Sequence, residues 1–243
     1  MQIVFSSSAG LSRQGALAYL RELKAANSEF RVVDIGGAAN PWSAEVADAY
    51  VDLHPVNDAP TIIGDVHDPL VWEKIRAARF NFCICSHILE DIRDPLFVLR
   101  QLSQTFKHGY IAAPNKHVEF AHIESRDYVG YAHHRWIFTL RETSLGVIAK
   151  WPFASYFSPR KRITANLRAS SFGRAWRRLS GRREGLSAVG PLPWWRSDLA
   201  GPGNELAFIW KGQLAFEAIN GDYAGESPHE LALLYHDALA EGL

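Results

Sequence analysis

Cysteine is scarce. Cys83 and Cys85 are the only two in 243 residues, and both fall in one apolar run, Phe80 to Cys85. Positions i and i+2 of a strand share a face, but adjacent side chains of one strand are poorly placed for a disulfide. The pair therefore reads as buried thiols, which fits a reducing compartment. Without CxxC spacing it suggests no zinc site. No run approaches the roughly 20 apolar residues a spanning helix needs, so no membrane span is expected. The opening residues, Met1 then Gln-Ile-Val-Phe-Ser-Ser-Ser, carry no basic region and no long apolar core. No signal peptide is expected, and the cytoplasm is the expected location. Net charge is absent too: 26 basic side chains balance 26 acidic ones. Only the distribution of charge can then speak for nucleic acid. Internal repeats and long low-complexity tracts are also missing.

What is present suits a packed core. Hydrophobic residues make up 47% and charged residues 21%, and the length fits one α/β domain with elaborations. Gln14 to Ala26 predicts an amphipathic helix, with Leu17, Leu20 and Leu23 at helical spacing. Phe30 to Ile35 predicts a buried strand entering a tight glycine turn. Ala44 to Ala49 predicts a short helix, Ala49 to Leu53 a strand, and Thr61 to Gly64 another. Pro69 to Ala78 predicts a helix, and Asn81 to Ser86 a buried strand. Asp94-Pro95 caps and opens a helix that runs to about Phe106. Tyr110 to Ala113 is a strand stopped by Pro114. This alternation predicts a doubly wound, Rossmann-like, mostly parallel sheet. Further on, residues 115–135 hold His117, His122, His133 and His134 and read as a loop-rich excursion. Trp136 to Lys150 predicts one strand and a helix. Glu205 to Trp210 and Gln213 to Ile219 flank Lys211-Gly212 and read as a β-hairpin, and Pro228 to Ala240 as a closing helix. One domain is expected over 1–243, with a cofactor-binding core (14–116), a loop-rich substrate-side insertion (117–203) and a closing hairpin and helix (204–243).

Ligands of such sheets sit beyond the carboxyl ends of the strands, so the residues after each strand matter most. In VVDIGGAAN, Val32 to Asn40, a strand delivers Asp34, and Gly36 and Gly37 let the backbone turn close to a ligand. Asp52 ends the next strand, where a carboxylate can accept both hydroxyls of a ribose. Asp65 follows the third strand, within reach of an adenine amino group. Taken singly, these are turn glycines and capping acids. The pyrophosphate fingerprint G-x-G-x-x-G is absent, and an acid at Asp34 would repel a phosphate; both points weigh against a nicotinamide dinucleotide.

The order VVDIGGAAN, YVDL, GDVHDP, FNFCICSHILEDIRDPLFVLRQL and GYIAAPN resembles the class I S-adenosylmethionine-dependent methyltransferases, closest to the type 11-like group with a Leu-Glu-His segment after the fourth strand. It covers roughly residues 30–116. The resemblance implies a seven-stranded sheet with an antiparallel last strand, which the late hairpin would supply. It implies S-adenosylmethionine as cofactor: Asp34, Gly36 and Gly37 in the methionine-side loop, Asp52 and Leu53 at the ribose, Asp65 and Val66 at the adenine, and Ser86 beside the sulfonium. His87 would stand at the mouth of the acceptor pocket and His134 in the segment folding over it. Both are candidate catalytic bases, since histidine titrates near neutral pH. The sequence departs from the family at Ala38 and Asn40, where glycine is frequent, and at Asp91, where histidine is. His87, Glu90 and Asp91 have i, i+3, i+4 spacing and would share a face if a helix began there; metal-ligand and solvated-helix readings both follow, and no metal is assigned.

The stretch Arg160 to Arg183 holds nine Lys or Arg and no acid. It suits an anionic group or a solvated loop equally. Trp194-Trp195 suits a sugar, a base or a hydrophobic anchor. The expected activity is methylation of a small-molecule or glycan acceptor, O-directed. An RNA methyltransferase and a catalytically silent binding module are the alternatives.

Overall fold

The computed structural model describes residues 1–7, 11–37, 42–56, 58–119, 130–150 and 205–219, the side chains of His117 and Val118 excepted. Along them run β1 (Gln2–Ser6), α1 (Arg13–Ala26), β2 (Val32–Ile35), β3 (Ala49–Asp52), β4 (Thr61–Ile63), α2 (Pro69–Ala78), β5 (Phe82–Ser86), α3 (Pro95–Thr105), β6 (His108–Pro114), α4 (Lys116–Glu119), β7 (Trp136–Leu140), β8 (Leu145–Ala149), β9 (Glu205–Lys211) and β10 (Phe216–Ala218).

Seven strands form one sheet in the order β1-β9-β6-β5-β2-β3-β4. The five from β6 to β4 pair parallel. β9 is antiparallel to both of its neighbours, β6 and β1. This is the expected doubly wound sheet with its antiparallel late strand. Side-chain alternation sorts the sheet into two faces. Val33, Ile35, Cys83, Cys85 and Trp210 pack with Val71, Trp72 and Ile75 of α2 and Val98, Leu99 and Leu102 of α3. Val32, Phe82, Ile84 and Tyr110 pack with Ala16 and Leu20 of α1. Both thiols are free and buried, and burial holds them well above the usual thiol range.

The helices start where caps permit. Ser12, Asp68 and Asp94 each accept a backbone N–H of the first turn, and Pro69 and Pro95 occupy the position that needs no N–H donor. Among the described residues, no helix is long and apolar enough to cross a membrane.

Four expectations are corrected. Gln2–Ser6 is a strand that the sequence did not announce, and it takes the sheet edge beside β9. Residues 44–49 form no helix. The chain makes a turn in which Val46 and Ala47 N–H both bond to the Ser43 carbonyl, and Asp48 then pairs with Val32 through its own N–H and its carboxylate. Trp136 to Lys150 gives two antiparallel strands, β7 and β8, rather than a strand and a helix. Glu205 to Ile219 is no hairpin: after Gly212, which takes φ 84°, the chain leaves the main sheet and β10 pairs parallel with β8 in a three-stranded sheet β10-β8-β7. The expected helix at 228–240 lies outside the described residues.

Gly109 faces Trp210 across the β6–β9 ladder, and a Cβ there would overlap the buried indole ring. Gly109→Ala should therefore destabilise the fold by about 1–3 kcal/mol, the range for overpacking a core. Urea unfolding checks this, and an unchanged midpoint would show that the ring moves aside freely.

Candidate active site

Parallel strands end together, and β2, β3, β4 and β5 bring Asp34, Asp52, the Gly64-Asp65 turn and Ser86 to one edge of the sheet. Asp34 is buried. Its Oδ2 accepts from the Ser43 hydroxyl, while Oδ1 is buried with no hydrogen-bond partner among the described residues. Burial pushes this carboxyl up to about 6; the Ser43 hydrogen bond pulls it down and Asp52 pushes it further up. The loop beyond has no room for side chains. Gly36 takes φ 80° and a Cβ there would meet Ile88; a Cβ on Gly37 would overlap the Asp34 carboxylate. Ala38 and Asn40 lie outside the described residues.

Asp52 stands half-buried at the end of β3 and accepts from the His54 N–H at 3.4 Å. Leu53 beside it is 61% exposed, an apolar side chain in solvent at the edge where the cofactor is expected. Asp65 Oδ1 takes two hydrogen bonds from His67, from the backbone N–H at 2.9 Å and from Nδ1 at 2.8 Å; together they hold the Asp65 carboxyl below its ordinary range. Val66 is buried, and its carbonyl accepts from Trp72 Nε1. His67, which the sequence did not single out, also accepts from the Asp94 N–H through Nε2 at 3.1 Å. It ties the turn after β4 to the start of α3.

His87 follows β5 with φ 54°, in the left-handed region that non-glycine residues avoid. Its N–H is held by the Ala112 carbonyl. Both ring nitrogens face carboxylates: Nδ1 lies 3.1 Å from Glu90 and Nε2 lies 2.8 Å from Glu205. Burial works against the charged ring, but the hydrogen bonds to Glu205 and Glu90 outweigh it and push His87 up to about 9. Glu205 also takes a hydrogen bond from Arg13 and is lowered; burial opposes this and the partners His87 and Arg13 prevail. His87 is thus an imidazolium near neutral pH, and it must lose a proton and a carboxylate partner before it can accept one.

His134 approaches the same turn, its Nε2 3.9 Å from Asp91. It is buried, and its Nδ1 donates to Glu119 at 2.6 Å. Lys150 holds the other Glu119 oxygen at 2.6 Å and donates to the Tyr131 carbonyl. No helix begins at His87. Residues 87–94 form turns, so the expected shared face breaks up: Glu90 pairs with His87, whereas Asp91 lies 4.0 Å from His133 and 3.9 Å from His134. Glu205, Arg13, Glu119 and Lys150 were not foreseen. Glu205 sits opposite Pro114 in the β6–β9 register, a placement that only the long-range pairing defines. The Arg160 to Arg183 stretch, Trp194-Trp195 and His122 lie outside the described residues.

No protein-family model and no curated protein matches the chain. Among solved structures it is similar to the methyltransferase domain of bacterial CtHen1-CN, at 10% identity over 82% of this chain and 98% of that one, with a TM-score of 0.39. It is similar to a SAM-dependent methyltransferase from Archaeoglobus fulgidus, at 20% identity over 43% of this chain and 54% of that one, TM-score 0.32. It is similar to the N-methyltransferase NodS from Bradyrhizobium japonicum WM9, solved with S-adenosyl-L-homocysteine, at 12% identity over 43% and 63%, TM-score 0.32. The chain thus spans less than two thirds of the length of these last two. The sheet order described above, not these low scores, carries the fold assignment.

The charge on His87 has a measurable consequence. A folded value of about 9 against an ordinary 6.5 means that protonated His87 stabilises the fold fully below about pH 6.5. That contribution fades as pH rises through about 9. The ring signals of His87 in an NMR titration should move near pH 9 and not near 6.5. His87→Gln should flatten the alkaline fall in stability, and titration near 6.5 would refute the double carboxylate clamp.

Proposed function

We propose that the chain is an S-adenosylmethionine-dependent methyltransferase that methylates a hydroxyl oxygen of a small molecule or glycan. The observation that carries the reading is Asp34. A buried acid with one oxygen lacking a hydrogen-bond partner among the described residues, near the end of β2 and against a turn with no room for a Cβ on either glycine, suits a cationic amine such as that of a methionine moiety. Asp52, with Leu53 beside it, is the candidate for the ribose. Asp65 and Val66 are the candidates for the adenine, the first through the carboxylate that His67 orients. Ser86 is assigned to the sulfonium side.

When bound, the cofactor supplies a methyl carbon to which the acceptor oxygen bonds as the carbon–sulfur bond breaks, its electron pair remaining on sulfur. The chain's own task is to align that oxygen, exclude water and take up the hydroxyl proton. His134 suits the last role. Its Nδ1 is held by Glu119, so Nε2 is the ring nitrogen left to face the acceptor. His87, flanked by Glu90 and Glu205, is assigned to the same acceptor mouth as a positioning cation.

Calorimetric titration tests the cofactor first. The chain should bind S-adenosylmethionine and not NAD. Asp52→Ala should weaken that binding roughly ten- to hundredfold, the equivalent of one hydrogen bond to a charged group. No heat with S-adenosylmethionine would overturn the reading, and unchanged affinity in Asp52→Ala would move the ribose elsewhere.

A further inference from the structure

Asp91, His133 and His134 offer three ligand atoms, one carboxylate oxygen and two imidazole nitrogens, that all lie within 4.8 Å of one another. The oxygen lies 4.0 Å from His133 Nε2 and 3.9 Å from His134 Nε2. Around an ion with bonds of about 2.0–2.2 Å, tetrahedral ligands stand roughly 3.3 Å apart. The two edges from the oxygen exceed this by about 0.6–0.7 Å, and the edge between the two nitrogens by at most about 1.5 Å, distances that rotation of the Asp91 and His133 side chains can close. Both of these side chains reach solvent: Asp91 is 44% exposed and His133 60%.

The third ligand is already fixed. His134 is 6% exposed, and Glu119 takes its Nδ1 proton at 2.6 Å. In the neutral ring this hydrogen bond leaves the lone pair on Nε2, the atom turned to Asp91. A carboxylate behind a histidine is the arrangement that orients metal-bound imidazoles and raises their basicity. Glu119 is in turn fixed by Lys150. Gly130 lies so close to Glu119 that a Cβ would collide with its carboxylate. The support behind the ligand is thus more rigid than the ligands in front of it.

We propose that Asp91, His133 and His134 form a site for a first-row divalent transition metal, with Glu119 as the positioning residue behind His134. Two nitrogens and one oxygen select zinc, cobalt, nickel or iron(II) over magnesium and calcium, which prefer oxygen. Three protein ligands leave an open position, as in metal sites that take a further ligand. The site stands on these side chains alone and does not depend on the methyl-donor reading. The base role proposed for His134 belongs to the metal-free chain; with an ion on Nε2 that nitrogen is a ligand and takes up no proton.

The full chain, free of any histidine tag, is titrated with Zn²⁺, Co²⁺ and Mg²⁺ by calorimetry, without S-adenosylmethionine. One Zn²⁺ or Co²⁺ per chain should bind, Mg²⁺ should not, and bound Co²⁺ should give a visible absorption band. His133→Ala and Asp91→Asn change exposed positions, so both should keep the fold by circular dichroism, yet each should weaken Zn²⁺ at least about tenfold. His54→Ala, an exposed histidine outside the cluster, should leave the affinity unchanged. Absence of Zn²⁺ and Co²⁺ binding would overturn the proposal. So would equal affinity in wild type, His133→Ala and Asp91→Asn, which would place the ion on other histidines.

Discussion

Strands that run parallel must all end at the same edge, and each end is followed by backbone that the sheet no longer satisfies. Five strands of this protein obey that constraint, and everything with chemistry follows from it. The chain leaves β2 towards β3 and β4 on one side, then returns to lay β5 and β6 on the other. The two directions part between β2 and β5, which is where a crevice opens in sheets of this kind. Asp34, Gly36 and Gly37 stand on one bank, Ser86 and His87 on the other. The banks touch at their base, since Gly36 packs against Ile88 so closely that no Cβ fits.

Charge on the second bank is organised in pairs. Arg13 at the start of α1 bonds to Glu205 at the start of β9, Glu205 bonds to His87, and His87 bonds to Glu90. Two cations and two anions alternate, so the row is neutral as a unit while His87 is charged. Such a row links α1, β9 and the turn after β5, elements far apart in sequence. Set against a well-packed apolar replacement, a half-buried charge set of this kind adds little net stability, even though losing the His87 proton from it destabilises the fold. Its effect is geometric: the imidazole is clamped from both nitrogens and the turn that carries it is set, left-handed backbone included.

Much of this was legible in the residues. α2 spans Pro69–Ala78 as expected because Asp68 and Pro69 mark its start and an apolar face repeats at helical spacing. β2, β3 and β4 were legible because short apolar runs end in Gly or Asp, and β5 because Phe82 to Cys85 is continuously apolar. What was not legible depends on partners. Gln2–Ser6 is ordinary apolar sequence until Lys211 and its neighbours pair with it. Lys211-Gly212 does make a turn, but Gly212 N–H bonds to the Lys107 carbonyl, and the chain is passed to another sheet. Leu145 to Ala149 is a short apolar run of the sort that periodicity cannot assign between strand and helix; pairing with β7 decides it. The turn at 43–47 looks helical by composition, yet Ser43 is drawn to Asp34 and Asp48 to Val32, which ends the turn before a helix can extend.

The same division governs the site. Residues on the first bank are local signals, an acid or glycine directly after a strand, and they could be named from the sequence. Those around His87 and His134 are assembled from distant segments: Glu205 comes to His87 from 118 residues away and Glu119 to His134 from 15. Each histidine acquires its state from a carboxylate that no local pattern predicts. The two states differ because the neighbours differ. Two carboxylates on opposite ring nitrogens make His87 a cation. For His134, one buried carboxylate holds Nδ1, and Lys150 pairs with the other oxygen of that carboxylate; Asp91 stays 3.9 Å from Nε2. A sequence reading names both histidines as candidate bases. Their hydrogen-bond partners distinguish them: His87 has a carboxylate on each ring nitrogen, whereas His134 gives Nδ1 to Glu119 and turns Nε2 towards Asp91.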